Sequence, residues 1–236
     1  MIRAAAGRPL VVGHRGAPAL FPEHTLASFA AAVEAGADLV ELDVGRGLLV
    51  AHSDRELPER PLSLEEALEY LGGTGVGVLV DLKRPGLEQA VAAALRRHGL
   101  LPRALVSSTS PRVLRRLARA EPELARSITY PHDRYRVSRL PWPPRLAAGA
   151  AAALRSAMPV RAPLLLAAAR SGALTLHHSL VSRSVVRCVR SRGAALVAWT
   201  VDDPARIARL AELGVDAIVT DDPGGARRAL ATLTPP

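Results

Sequence analysis

Glu41 and Asp43 stand two residues apart in the apolar run Leu39–Val44 (LVELDV). Side chains alternate faces along an extended strand, so both carboxylates would project from the same side. Like charges held that close raise each other's pKa unless a cation lies between them. A hard divalent cation bound through oxygen meets that need, and Asp81 in Gly77–Lys83 (GVLVDLK) offers a third carboxylate from the next strand. Ion pairing with arginines at the rim of the fold is the alternative reading of the same acids. His14 and His52 close two neighbouring apolar runs, where they could flank a scissile bond as general base and general acid. Lys83 falls two residues past Asp81 and is the only lysine, beside 30 arginines. A compact ammonium differs from a planar guanidinium as a phosphate ligand, so the exception points to a chemical requirement there. His24, His98 and His132 fall in helices or loops and read as structural or solvent-exposed.

These residues need a frame that gathers strand ends. Leu10–His14, Leu39–Val44, Gly77–Lys83 and Ala104–Ser108 read as strands one to four, with Leu48–His52 a short extension of the second across Gly45-Arg46-Gly47. Ser127–Tyr130, Leu174–His178, Ala195–Val201 and Ala217–Asp221 read as strands five to eight. Helices are expected over Thr25–Ala35, Leu87–His98, Pro111–Ala120, Arg183–Arg192, Pro204–Leu213 and Gly224–Leu233. Ser63, followed by Glu65 and Glu66, opens another. Pro131–Gly172 holds a Pro-rich stretch and Ala-rich helical pieces. Eight strand–helix pairs imply a parallel sheet and favour a TIM (β/α)8 barrel, one domain over residues 1–236 with a minimal insertion after the second strand. An open doubly wound sheet would want a Gly-rich nucleotide loop, and Gly13-His14-Arg15-Gly16 lacks the G-x-G-x-x-G spacing. In a barrel the active site lies at the C-terminal strand ends. Those ends are polar here: His14-Arg15, Glu41-x-Asp43, His52, Asp81-x-Lys83, Ser107-Ser108, His177-His178, Trp199-Thr200 and Thr220-Asp221.

The net charge of +9 raises nucleic-acid binding, but the arginines are scattered over every expected helix and only 3% of residues are aromatic. Solubility and a mild pull on anionic small molecules fit better. No apolar run approaches the roughly 18 residues of a membrane helix. Met1–Arg8 is too short for a signal peptide, and Cys188 is alone, so a reducing, cytoplasmic setting is expected.

Val12-Gly13-His14-Arg15-Gly16 followed by Pro22-Glu23-His24-Thr25-Leu26-Ala27-Ser28-Phe29 resembles the opening of bacterial glycerophosphodiester phosphodiesterases. Gly36–Val44, Ala198–Val201 and Gly214–Pro223 are similar to that family's later motifs, in its order. The resemblance implies hydrolysis of glycerophosphodiesters to glycerol 3-phosphate and an alcohol, with His14 and His52 as acid and base. It also implies Arg15 and Lys83 on the phosphate, Mg²⁺ or Ca²⁺ on Glu41 and Asp43, and Trp199 against the glycerol or leaving group. Lysophospholipids or polyol-phosphate polymers are alternative substrates of the same mechanism, and a phosphate-binding barrel without turnover is the alternative outside enzymes. Four departures from the family's pattern stand out. His24 replaces its Asn, Asp81 replaces a Glu as third metal carboxylate, and Ser53 separates His52 from Asp54. The hairpin from Asp43 to His52 is trimmed, leaving Arg55–Pro61 before the next helix and a more open mouth.

Overall fold

The computed structural model describes residues 8–52, 57, 59–131 and 144–233, with side chains in the last stretch from 149 onward. Ser53, Asp54, Arg55, Glu56 and Pro58, His132 and the PWP of the Pro-rich stretch lie outside the described residues. Eight strands pair in parallel in chain order and the eighth returns to the first, closing a barrel. They are β1 (Leu10–Gly13), β2 (Leu39–Val44), β3 (Gly77–Leu82), β4 (Ala104–Ser108), β5 (Ala125–Tyr130), β6 (Ala173–His177), β7 (Ala195–Trp199) and β8 (Ala217–Thr220). The helices between and after them are α1 (Leu26–Glu34), α2 (Leu64–Gly72), α3 (Glu88–Arg97), α4 (Pro111–Ala120), α5 (Pro144–Ala169), α6 (Arg183–Arg190), α7 (Pro204–Leu213) and α8 (Pro223–Ala231). The expected TIM barrel is the observed fold.

β2, β3 and β4 are buried at every position, because helices cover one face and the barrel interior the other. Outward Val40, Leu42 and Val44 pack with Phe29 of α1 and Leu64, Leu68 and Leu71 of α2. Inward Val12, Leu39, Leu79, Leu105, Val197 and Val219 form a separate plug inside the barrel. Glu41 and Asp43 follow Leu39 on its face, and the register pairs Glu41 with Leu79 and Asp43 with Asp81. The period of two therefore stacks acids above the apolar plug.

Two aspartates tie the other end of the barrel. Asp38 Oδ2 accepts the Val11 N–H at 2.7 Å, and Asp216 Oδ2 accepts the Leu196 N–H at 2.8 Å. Helix starts carry side-chain caps: Thr25 on α1, Ser63 with Glu66 as a reciprocal capping box on α2, Asp203 on α7 and Asp222 on α8.

Three expectations shift. Leu48–His52 is not a strand: a 3₁₀ turn at Arg46–Leu48 leads to single bridges, Val44 to Val50 and Leu49 to Ser63. The trimmed hairpin is too short to build a ladder. β5 starts earlier than Ser127, and one helix of 26 residues, with Pro159 and Pro163 inside it, fills most of the Ala-rich segment. Among the described residues no helix is long and apolar enough to cross a membrane.

Gly77 begins β3 where a Cβ would sit 2.5 Å from the Arg103 carbonyl oxygen and 3.2 Å from the Leu39 side chain. Overpacking of this kind costs about 1–3 kcal/mol. Gly77→Ala is expected to lower the thermal midpoint by roughly 2–10 °C, read by circular dichroism. An unchanged midpoint would mean that the β2–β3 register is not set by this close approach.

Candidate active site

The turn from β1 to α1 is built around close backbone contacts. A Cβ on Gly13 would meet the Gly16 carbonyl oxygen at 2.4 Å, and one on Gly16, at φ +100°, would meet Ser28 Oγ at 2.3 Å. Ser28 Oγ donates to the Arg15 carbonyl and accepts the Ala17 N–H. The turn places Arg15 and His24 in the left-handed region, at φ 55° and 58°. Non-glycine residues adopt that conformation at a cost and are found most often where the surroundings demand it.

The demand comes from β2. The Arg15 N–H donates to Glu41 Oε2 at 2.9 Å, and Arg15 Nη1 donates to Glu23 Oε2 at 2.7 Å. Arg15 Nε lies 3.1 Å from Asp43 Oδ2, near enough for an ion pair although not aligned as a hydrogen bond. Lys83 Nζ bridges Asp43 Oδ1 at 2.6 Å and Asp81 Oδ2 at 2.5 Å. Ser107 Oγ donates to Asp81 Oδ1 at 2.5 Å.

Burial pushes both β2 acids toward protonation, and their partners separate them. Asp43 is held well below the usual carboxylate range, because its His52 hydrogen bond, Lys83 and Arg15 outweigh burial. Glu41 is pushed well above it by burial and then by Asp43, which Lys83 and Arg15 do not offset. Burial alone would lower Lys83, but Asp81, Asp43 and Glu41 raise it, so the ammonium keeps its charge. Burial lowers His24 to about 4, leaving a neutral imidazole near neutral pH. Its Nε2 accepts the Asp43 N–H at 3.2 Å.

One donor atom each from His24, Glu41 and Asp43 lies within 4.8 Å of the others. Two carboxylates and a neutral imidazole fit a divalent cation, and Glu41 is the acid whose charge is least offset. Asp81 lies outside this group and is held by Lys83 and Ser107. The structure thus brings together Glu41, Asp43, Arg15 and Lys83, and it adds His24, which the sequence reading had set aside as structural or exposed.

A cavity of about 200 Å³ lies above the acids, with His14, His52, Thr129 and Trp199 in its wall. His14 Nδ1 is 2.6 Å from Asp221 Oδ1. His52 Nδ1 lies between Asp43 Oδ2 at 3.0 Å and Arg15 Nη2 at 2.7 Å. One ring nitrogen cannot donate to the first and accept from the second at once, so the tautomer selects between them. Trp199 stacks edge-on against His177 at 5.3 Å. Its Nε1 and Thr129 Oγ1 are both buried without a partner among the described residues, and both residues line the cavity. A second cavity, of about 700 Å³, opens beside the first, with Glu23, His24, Leu26 and Leu57 in its wall; His52 stands between the two. Asp221 had been noted only as a polar strand end, and Thr129 carried no signal: one hydroxyl in a short strand has many structural uses.

The family model of the glycerophosphoryl diester phosphodiesterases matches residues 14–60 and 80–225. The chain belongs to that family. As a member it is a phosphoric diester hydrolase with glycerophosphodiester phosphodiesterase activity. It is 25% identical to a glycerophosphodiester phosphodiesterase of Caldanaerobacter subterraneus subsp. tengcongensis, over 92% of this chain and 95% of that one. A probable glycerophosphodiester phosphodiesterase 1 of Mycobacterium tuberculosis is 30% identical, over 93% and 91%. The crystal structure of a protein from Silicibacter pomeroyi, described as a glycerophosphoryl diester phosphodiesterase on provisional grounds, shares the fold. Its TM-score is 0.76 at 23% identity, covering 98% of this chain and 95% of that one. So does an Oleispira antarctica phosphodiesterase in complex with the product sn-glycerol-3-phosphate, with TM-score 0.72 at 23% identity, covering 95% and 98%.

Lys83→Met would leave Asp43 and Asp81 sharing no ammonium. Removing one partner of a buried pair costs about 3–5 kcal/mol, and the 29% exposure of the Lys83 side chain reduces this to roughly 2–4. Urea unfolding of the metal-free phosphodiesterase is expected to show that loss, with a smaller one for Lys83→Arg. Equal stability of Lys83→Met and the parent would mean that the two acids do not depend on Lys83.

Proposed function

We propose that the chain hydrolyses glycerophosphodiesters to glycerol 3-phosphate and an alcohol, with His14 and His52 exchanging the protons beside a divalent cation. The observation that carries this reading is that both imidazoles line one cavity, each with Nδ1 against an aspartate. Nε2 of each ring is then the atom for proton transfer. Arg15 and Lys83 supply the positive charge for the phosphate oxygens. Trp199 offers its ring face to the glycerol or the leaving group, and its N–H together with Thr129 Oγ1 offers partners for hydroxyls. Glu41 and Asp43 would hold Mg²⁺ or Ca²⁺, with His24 as the third donor in reach rather than Asp81. The cation, when bound, would act as a Lewis acid on the phosphoryl group. The Oleispira relative's complex with sn-glycerol-3-phosphate supports the product named here.

Release of glycerol 3-phosphate from glycerophosphocholine, followed with Mg²⁺, Ca²⁺ or chelator, tests the reading. Activity is expected with a cation and not with chelator. His14→Ala and His52→Ala are each expected to lower kcat by about 10²–10⁴-fold. Turnover that survives both substitutions would refute the two-histidine assignment.

A second substrate class is favoured by one feature. Leu26 and Leu57 in the wall of the larger cavity are 41% exposed, and Leu20 and Phe21, beside Pro22 of the same wall, are 65% and 45% exposed. A rim of this kind fits the acyl chain of a lysophospholipid. On that reading Leu26→Ser with Leu57→Ser lowers kcat/KM for lysophosphatidylcholine by about tenfold while sparing glycerophosphocholine. Equal effects on both substrates would remove it.

A further inference from the structure

His14 and His52 differ in what faces Nδ1. Asp43, which accepts, and Arg15 Nη2, which donates, compete for His52 Nδ1. His14 Nδ1 faces the Asp221 carboxylate at 2.6 Å, a short hydrogen-bond distance. A carboxylate only accepts, so the proton of this bond belongs to His14 Nδ1 in both the neutral and the charged ring. We propose that Asp221 is a positioning residue that holds His14 in the Nδ1–H tautomer, so that Nε2 is the atom at which His14 takes up or gives the catalytic proton.

The surroundings hold the Asp221 backbone beside the ring, although its side chain is 40% exposed. The Asp221 N–H donates to Asp202 Oδ1 at 2.7 Å, and Thr220 Oγ1 donates to the same oxygen at 2.8 Å. The Asp221 carbonyl accepts the Ala19 N–H at 3.2 Å. Asp202 comes from the loop after β7 and Ala19 from the loop after β1, so segments on both sides of β8 clamp one residue. The His14 N–H donates to the Thr220 carbonyl at 2.8 Å, which fixes the histidine backbone to the same stretch. Asp222, next along, caps α8 through the Gly225 N–H. The backbones of His14 and Asp221 are therefore both anchored at the end of β8, which sets the ring and the carboxylate within reach of each other. This gives the Asp202–Asp221–His14 series the logic of a carboxylate that orients a histidine without taking its proton.

The test uses the full chain labelled with ¹⁵N-histidine, in the parent, Asp221→Asn and Asp221→Ala. In the parent, at a pH where His14 is neutral, the ¹⁵N shifts are expected to show a protonated Nδ1 and an unprotonated Nε2. In both variants the two tautomers are expected to mix, and kcat on glycerophosphocholine to fall by about 10²–10⁴-fold with KM changed less than about threefold. Asp202→Asn, which leaves the Asp221 carboxylate in place and loosens its clamp, is expected to give an intermediate loss. It serves as the second variant should either Asp221 substitution fail to fold, judged by the thermal midpoint. An Nε2–H tautomer in the parent, or the parent's ¹⁵N pattern retained in Asp221→Ala, would overturn the proposal, as would kcat within about threefold of the parent in a folded Asp221 variant. The kinetic arm rests on the phosphodiesterase reading and the tautomer arm does not. A parent with no turnover on any diester would refute that reading while the ¹⁵N pattern still decides the role of Asp221.

Discussion

Three carboxylates stacked on the inward faces of two neighbouring strands are the constraint around which the rest of this structure is arranged. Glu41, Asp43 and Asp81 are each buried, and β2–β3 pairing sets Asp43 level with Asp81. Buried acids without compensation are costly, so positive groups must come to them. Lys83 arrives from the end of β3 and Arg15 from the turn after β1. Reaching β2 requires Arg15 to take a left-handed backbone conformation, and Gly13 and Gly16 let that turn pack against α1 at van der Waals distance. Sequence motif, backbone strain and site electrostatics are here one problem with one solution.

Even so, compensation is uneven. Asp43 gathers Lys83, Arg15 and His52, whereas the partner of the Glu41 carboxylate is the Arg15 backbone N–H. That imbalance is what a cation site needs: a carboxylate whose charge is best stabilised by something not yet counted among the protein's own groups. Both oxygens of Asp43 lie in ion pairs, so Asp43 belongs to both readings of these acids, and Glu41 is the acid without a charged side-chain partner in hydrogen-bond reach. His24 adds an imidazole to that cluster, a ligand type that suits borderline divalent metals.

Aspartates at the two ends of the barrel do unlike work. Asp38 and Asp216, at strand beginnings, accept backbone N–H groups of neighbouring strands and hold the barrel's register. Asp43, Asp81 and Asp221, at strand ends, hold side chains that can move protons or carry charge. The same residue type holds backbone at one end of the strands and side chains at the other, the end where a barrel's loops carry its chemistry. At the open end, the short connection between β2 and α2 leaves His52 between two cavities with an apolar rim alongside.

The barrel was legible in the sequence, because period-two and helical patterns are local and eight strand–helix pairs have few other ways to bury their faces. Glu41 and Asp43 were legible for the same reason, since spacing along one strand fixes their common face. Lys83 stood out by composition, His14 and His52 by their places at the ends of apolar runs, and the roles of Arg15 and Trp199 by resemblance. The Leu48–His52 segment forms single bridges instead of a strand because one of them depends on Ser63 coming alongside Leu49, which no local pattern specifies. His24, Asp221 and Thr129 take their places through tertiary contacts that no local pattern specifies. His24 reaches the Asp43 backbone 19 residues away, and Asp221 reaches His14 across 207 residues because β8 pairs with β1. Sequence alone determined which side chains share a strand face; only the closed barrel decided which faces meet, because hydrogen bonds between chain ends are set by strand order and register rather than by spacing.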